Sequence, residues 1–233
     1  MIKFRNNRRR NLRGIVLILT VLMMLLPATT TCFATYTKRL VPASKSCVRK
    51  TYRGKVVIFA GDSRTMHMAD GWIPASVRKN CAFVWMNGGS VNCIRSDKSL
   101  APYLRKMIRK YRDRCIVVFN FGVNGNSNPE KNAKRLIRIY RSWMEEYPDV
   151  TFYVESINPT AMAGGSCSNQ GVIETNDLLQ EEFEDCYIDI YTYLISKKLV
   201  DPDTGTGTRD GLHYERAVYQ KIIKKVRSCT MNS

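Results

Sequence analysis

Residues 56–64 read VVIFAGDSR, five apolar residues followed by glycine, aspartate, serine and arginine. A short apolar run without alternation is the mark of a strand buried on both faces, and such strands belong to parallel sheets. Gly61 ends the run in a tight turn. Ser63 then stands at a strand-to-helix junction, with its hydroxyl raised and the N–H groups of the next helix aimed at it. Working outward, the strand signature returns at residues 83–86, 115–121, 150–157 and 187–191. Between them lie helical patterns. Leu100, Leu104, Met107, Ile108 and Tyr111 recur at helical spacing over residues 100–112. Pro129 opens a long helix to about residue 147, as proline suits a first turn. Further helices are predicted over residues 176–184 and 214–227, the last with Val218, Ile222 and Val226 on one face. Strands alternating with helices predict a three-layer α/β/α sandwich around a mainly five-stranded parallel sheet. In such a sheet, function gathers beyond the carboxyl ends of the strands.

Three further stretches fall in those places. Thr208-Arg209-Asp210-Gly211-Leu212-His213 precedes the last helix and holds one of only two histidines. Imidazole is the side chain best suited to take a serine proton near neutral pH and return it to a leaving group. Asp210, three residues earlier, is placed to fix its tautomer. Gly122-Val123-Asn124-Gly125 follows the third strand, and Asn87-Gly88-Gly89-Ser90 follows the second. The Asn124 amide and the Gly89 N–H are candidate donors to a developing oxyanion, a contact worth roughly 3–4 kcal/mol in acyl transfer. Asn-Gly and Gly-Gly also read as turn chemistry. His67, one helical turn beyond Ser63, points along its helix and reads as structural or substrate-facing. Asp201-Pro202-Asp203-Thr204-Gly205 lacks the glycine and glutamate positions of a calcium loop.

Serine, glycine, asparagine and histidine in four ordered blocks over about residues 55–228 resemble the SGNH (GDSL-like) hydrolases. The resemblance implies a flavodoxin-like sandwich and an esterase or related acyl-transfer enzyme needing no metal or other cofactor. It implies Ser63 as nucleophile, His213 as base with Asp210 behind it, and Ser63, Gly89 and Asn124 as oxyanion donors, with Gly88 the alternative to Gly89. Arg64 stands where leucine is common in that family, and Gly125 replaces an aspartate that often supports the asparagine. The expected substrate is an ester of a carbohydrate, its acyl group small. An acyltransferase of the same fold, or a basic module that binds a wall polymer without catalysis, would share these features.

The N-terminus speaks to location. Lys3, Arg5, Arg8, Arg9, Arg10 and Arg13 precede an apolar run over residues 15–26 broken only by Thr20. A basic patch before about a dozen apolar residues is the layout of a secretory signal peptide, and the run is short for a membrane span. Residues 1–34 are therefore expected to be a signal peptide or an uncleaved anchor, residues 35–54 a basic leader, and residues 55–233 the catalytic domain. The whole chain carries 37 Lys+Arg against 20 Asp+Glu, a net +17. Without residues 1–34, 31 basic residues still face 20 acidic ones, a net +11. So basic an exported chain suits an anionic cell-envelope polymer. No basic helix with interleaved aromatics suggests nucleic acid. Seven cysteines remain, none in a C-x-x-C pair, an arrangement that argues against structural zinc. Their odd number leaves at least one outside any intramolecular disulfide, and Cys115 reads as a small buried hydrophobe.

Overall fold

The computed structural model describes residues 38–41, 54–95 and 99–231. The predicted signal peptide, residues 1–34, lies outside them, as does most of the leader. Among the described residues six strands are present: β1 (Lys38–Val41), β2 (Val56–Gly61), β3 (Cys81–Met86), β4 (Cys115–Asn120), β5 (Thr151–Glu155) and β6 (Tyr187–Ile188). The helices are α1 (Ser63–Ala69), α2 (Ala101–Tyr111), α3 (Pro129–Glu146), α4 (Asn169–Phe183), α5 (Ile190–Ser196) and α6 (Arg216–Met231). They form an α/β/α sandwich around one sheet of order β1-β3-β2-β4-β5-β6.

The apolar run at residues 56–61 lies at the centre of that sheet. β2 pairs in parallel with β3 on one side and β4 on the other. All six of its residues are buried, and alternate side chains enter different cores. Val56, Ile58 and Ala60 pack with Leu104 and Met107 of α2, Leu136 and Tyr140 of α3 and Leu179 of α4. Val57 and Phe59 pack with Met68 of α1, Leu194 of α5, and Tyr219 and Ile222 of α6. That two-sided burial removes any need for polar alternation. Cys115 is buried at the start of β4, and burial pushes its thiol up to about 11. Cys93, Cys115, Cys167 and Cys186 are all free thiols.

The five parallel strands form as predicted, with differences at the margins. β1 comes from the basic leader and pairs antiparallel with β3, Lys38 opposite Met86. The fifth parallel strand is only Tyr187–Ile188, because the chain turns into α5 instead of extending to residue 191. Asp189 caps that helix, accepting the Thr192 N–H at 2.9 Å, while Ser156 Oγ accepts the N–H groups of Ile190 and Tyr191. α4 begins seven residues before the predicted start, where Ser168 Oγ caps the Gly171 N–H at 3.3 Å. Connections run from β2 outward to β3, then back across to β4. The crevice between β2 and β4 is therefore the switch point, where doubly wound sheets place ligands.

Candidate functional site

Ser63 is the first residue of α1, directly beyond β2. Asp62 is the helix cap, its carboxylate accepting the Arg64 N–H at 2.9 Å. Gly61 permits the turn: a Cβ there would lie 2.1 Å from Thr65 Oγ1 and 2.4 Å from the Asn120 carbonyl oxygen. As the first helical residue, Ser63 has an N–H with no acceptor inside its own helix.

The loop before α6 carries His213 back to this point. His213 Nε2 lies 2.9 Å from Ser63 Oγ across 150 residues of sequence. On the other side of the ring, Nδ1 lies 2.7 Å from Asp210 Oδ2. Asp210 Oδ1 accepts the backbone N–H groups of Leu212 at 3.0 Å and His213 at 2.6 Å. Burial acts to raise the Asp210 carboxyl, but bonds from the His213 ring and the two N–H groups outweigh it and hold the group at about 2. An ionised carboxylate at Nδ1 makes that nitrogen the donor and leaves Nε2 as the acceptor facing the hydroxyl. The arrangement can therefore draw a proton from Ser63 and hold the resulting imidazolium.

Arg64, which in sequence reads only as a variation on the family pattern, is placed by the structure against the loop that carries His213. It is only 2% exposed. Its Nε donates to the Leu212 carbonyl at 3.1 Å, Nη1 to Asn158 at 2.8 Å and Nη2 to Pro159 at 2.9 Å. The guanidinium also lies 4.9 Å over the Tyr214 ring. One side chain beside the serine thus holds the residues on either side of His213. Two buried carboxyls share this region. Burial pushes Asp62 up to about 6, against the opposing charge of Arg64. It pushes Glu155 up to about 7, against bonds from Asn158 and Asn120 and the same cation.

The candidate oxyanion donors fare differently. Asn124 is half-buried beyond β4, and its Nδ2 donates to the Gly89 carbonyl at 3.0 Å, leaving one amide hydrogen uncommitted by that bond. The Gly89 N–H, expected to face the oxyanion, instead donates to the Met86 carbonyl at 3.0 Å. The reason is the turn chemistry of this stretch. Gly88 takes φ +64° at the corner, a value glycine adopts without strain, and the turn closes through the next residue's N–H. Gly88 is accordingly the hinge of the turn. The loop around Asn124 is held by other side chains. Gly125 leaves room for Asn132, whose Nδ2 donates to the Gly122 carbonyl and Asn126 Oδ1, both at 2.9 Å. Thr175 Oγ1 donates to the same Asn126 oxygen at 2.9 Å.

His67 packs beside this constellation, its ring 4.9 Å from that of His213 in an edge-on arrangement. Burial, together with the charges of His213 and Arg209, lowers it to about 4, so it is neutral at neutral pH.

Comparison with protein-family models finds no match, and neither does comparison with curated protein sequences. Solved structures do match. An acetyl xylan esterase superposes with a TM-score of 0.53 at 14% identity, covering 75% of this chain and 98% of that one. A lipase/acylhydrolase from Enterococcus faecalis gives 0.55 at 15%, covering 76% and 96%. A member of the lipolytic G-D-S-L family from Veillonella parvula DSM 2008 gives 0.55 at 15%, covering 77% and 100%. The fold of this chain is the fold of those proteins.

Proposed function

We propose that this protein is an exported serine esterase that removes small acyl groups, acetyl foremost, from a carbohydrate. The observation that carries this reading is the chain of contacts from Ser63 Oγ through the His213 ring to Asp210, 2.9 and 2.7 Å, at the switch point of the sheet. Folds shared with an acetyl xylan esterase and a lipase/acylhydrolase support the same chemistry. Export rests on the basic and apolar pattern of residues 1–34, and the net charge left without them suits an anionic envelope polymer as the surrounding matrix.

In this mechanism Ser63 Oγ attacks the ester carbonyl while His213 Nε2 takes its proton. Asp210 holds the ring in the productive tautomer and stabilises its charged form. The Ser63 N–H and the second hydrogen of the Asn124 amide receive the oxyanion. His213 then gives its proton to the departing sugar oxygen. Water, deprotonated by the same imidazole, releases the acyl-enzyme. Gly89 takes part only through its carbonyl, which orients Asn124.

Replacing Ser63 with Ala tests the reading. Hydrolysis of p-nitrophenyl acetate is expected to fall to the uncatalysed rate, and labelling by a fluorophosphonate probe to disappear from the peptide bearing residue 63. Turnover that survives the substitution undiminished refutes the mechanism.

A further inference from the structure

Across the His67 ring from His213, the structure holds a guanidinium in a fixed place. Arg209 is exposed, and among the described residues no carboxylate forms an ion pair with it. Its position is nevertheless fixed from three sides. Its backbone N–H donates to the His213 carbonyl at 2.7 Å. Its guanidinium lies 5.0 Å over the Trp72 ring, and Nη2 lies 3.2 Å from His67 Nε2. Trp72 is itself pinned, its indole N–H donating to the His67 carbonyl at 2.9 Å. The neighbouring acid, Asp210, is already engaged with the His213 ring and the Leu212 and His213 N–H groups. Arg209 Nη2 also lies 3.5 Å from His67 Nδ1, so it meets both ring nitrogens, and an imidazole held near 4 is neutral and can stand against the cation without repulsion.

This placement has a chemical direction. His213 returns its proton to the leaving oxygen, and the His67 ring on which Arg209 rests packs 4.9 Å from the His213 ring, so the guanidinium borders the alcohol half of the ester. We infer that Arg209, set between Trp72 and His67, is a subsite for an anionic group, a carboxylate or a phosphate, carried on the sugar that leaves. The inference rests on the roles given above to Ser63 and His213. It adds to them the class of substrate: the ester of an acidic sugar rather than a neutral one. A guanidinium offers carboxylate and phosphate a planar pair of donors. Its stacking on Trp72 spares it the ordering cost of an unconstrained side chain.

The experiment compares matched esters. Acetylated oligogalacturonide is set against its methyl-esterified counterpart, and acetylated glucose 6-phosphate against acetylated glucose. Wild-type kcat/KM should favour the anionic member by about threefold to fivefold, the effect of one ion pair at an exposed site. The preference should fall with added salt. In Arg209→Ala the ratio should collapse toward one through KM, and Arg209→Lys should restore part of it. The phosphate and carboxylate arms distinguish which anion the site takes. Equal rates for both members of each pair in the wild type would overturn the inference. So would an Arg209→Ala variant that slows both members alike, the signature of a merely structural role. Calorimetry with unacetylated oligogalacturonide and glucose 6-phosphate on the wild type and Arg209→Ala separates this inference from the esterase reading. Arg209-dependent binding without hydrolysis of any ester would sink the esterase and keep the anion site. Hydrolysis without Arg209-dependent binding or preference would do the reverse.

Discussion

Arg64→Leu puts a figure on what holds the His213 loop to the serine helix. The wild-type guanidinium serves three carbonyls, those of Asn158 and Pro159 buried and that of Leu212 partly so. Pro159 keeps a partner after the change, because the Tyr214 hydroxyl also donates to it. Asn158 and Leu212 each lose a charged donor. At about 1–3 kcal/mol for a buried acceptor left without its donor, the two together cost about 2–6 kcal/mol. Leucine regains little by burial, since the arginine stem already fills that space. Relief from burying a cation offsets part of the loss, so a net destabilisation of about 2–5 kcal/mol is expected. That is a large share of an ordinary domain's stability of about 5–15 kcal/mol. The loss should also grow with pH. Near pH 5 Asp62 and Glu155, raised to about 6 and 7, are mostly protonated and little affected by losing the cation. By pH 8 both are ionised, and Arg64 is the positive charge that favours them. Urea unfolding of both proteins at pH 5 and pH 8 measures the effect, with p-nitrophenyl acetate turnover reporting the placement of His213. A variant within about 0.5 kcal/mol of the wild type at both pH values, the scatter of ordinary surface substitutions, would refute the reasoning.

Glu155→Gln should flatten the pH dependence of stability. A folded-state pKa near 7 against an ordinary 4.5 means the native state holds more protons between those values, so wild-type stability falls as pH rises through them. The variant should therefore gain on the wild type from pH 5 to pH 8 in urea titrations, and an unchanged slope would count against the burial argument. Asp210→Asn removes the carboxylate at His213 Nδ1 and should lower kcat by roughly 10³–10⁴-fold, as a wrong tautomer does. Because Asp210 is held near 2 in the folded chain, its contribution to stability is full above the unfolded value of about 4 and is lost as pH falls through 2. Acid titration followed by circular dichroism should show that loss in the wild type and not in the variant. Gly61→Ala drives a methyl group into Thr65 Oγ1 and the Asn120 carbonyl. A loss of about 3 kcal/mol is expected, the upper end of over-packing costs, readable as a lower urea midpoint.

What could be read from sequence follows from where each element's partners lie. The central strands were legible because Val56, Val57, Ile58 and Phe59 are fully buried between two helical layers, so their own composition records their environment. β1 was not, because an edge strand carrying Lys38 and Arg39 looks like the basic segment around it. The end of β6 was hidden too. Residues 187–191 have strand composition, but Asp189 and the hydroxyl of Ser156, more than thirty residues earlier, turn the chain into α5. Ser63, Asp210 and His213 were visible as candidates because few residue types can do their chemistry. Arg64 is an ordinary arginine until its acceptors are known, and these lie 94, 95 and 148 residues away as backbone carbonyls, which leave no mark in composition.

Gly89 shows the opposite difficulty, two legible signals competing for one hydrogen. In sequence, residues 87–90 fit both a turn and the source of an oxyanion donor, and the Gly89 N–H cannot fully serve both. The turn takes it: Gly88 adopts φ +64° and the N–H closes on the Met86 carbonyl at 3.0 Å. A bond made within four residues is available before any substrate arrives, and breaking it would leave that carbonyl without its donor. The same turn presents the Gly89 carbonyl outward, where it takes one hydrogen of the Asn124 amide. The loop thus contributes to the site by aiming a side chain, with the Asn126, Asn132 and Thr175 network fixing the other end of that aim. Charge developing on the ester oxygen would then meet two donors, the Ser63 N–H and the remaining Asn124 hydrogen, one from each strand bordering the crevice.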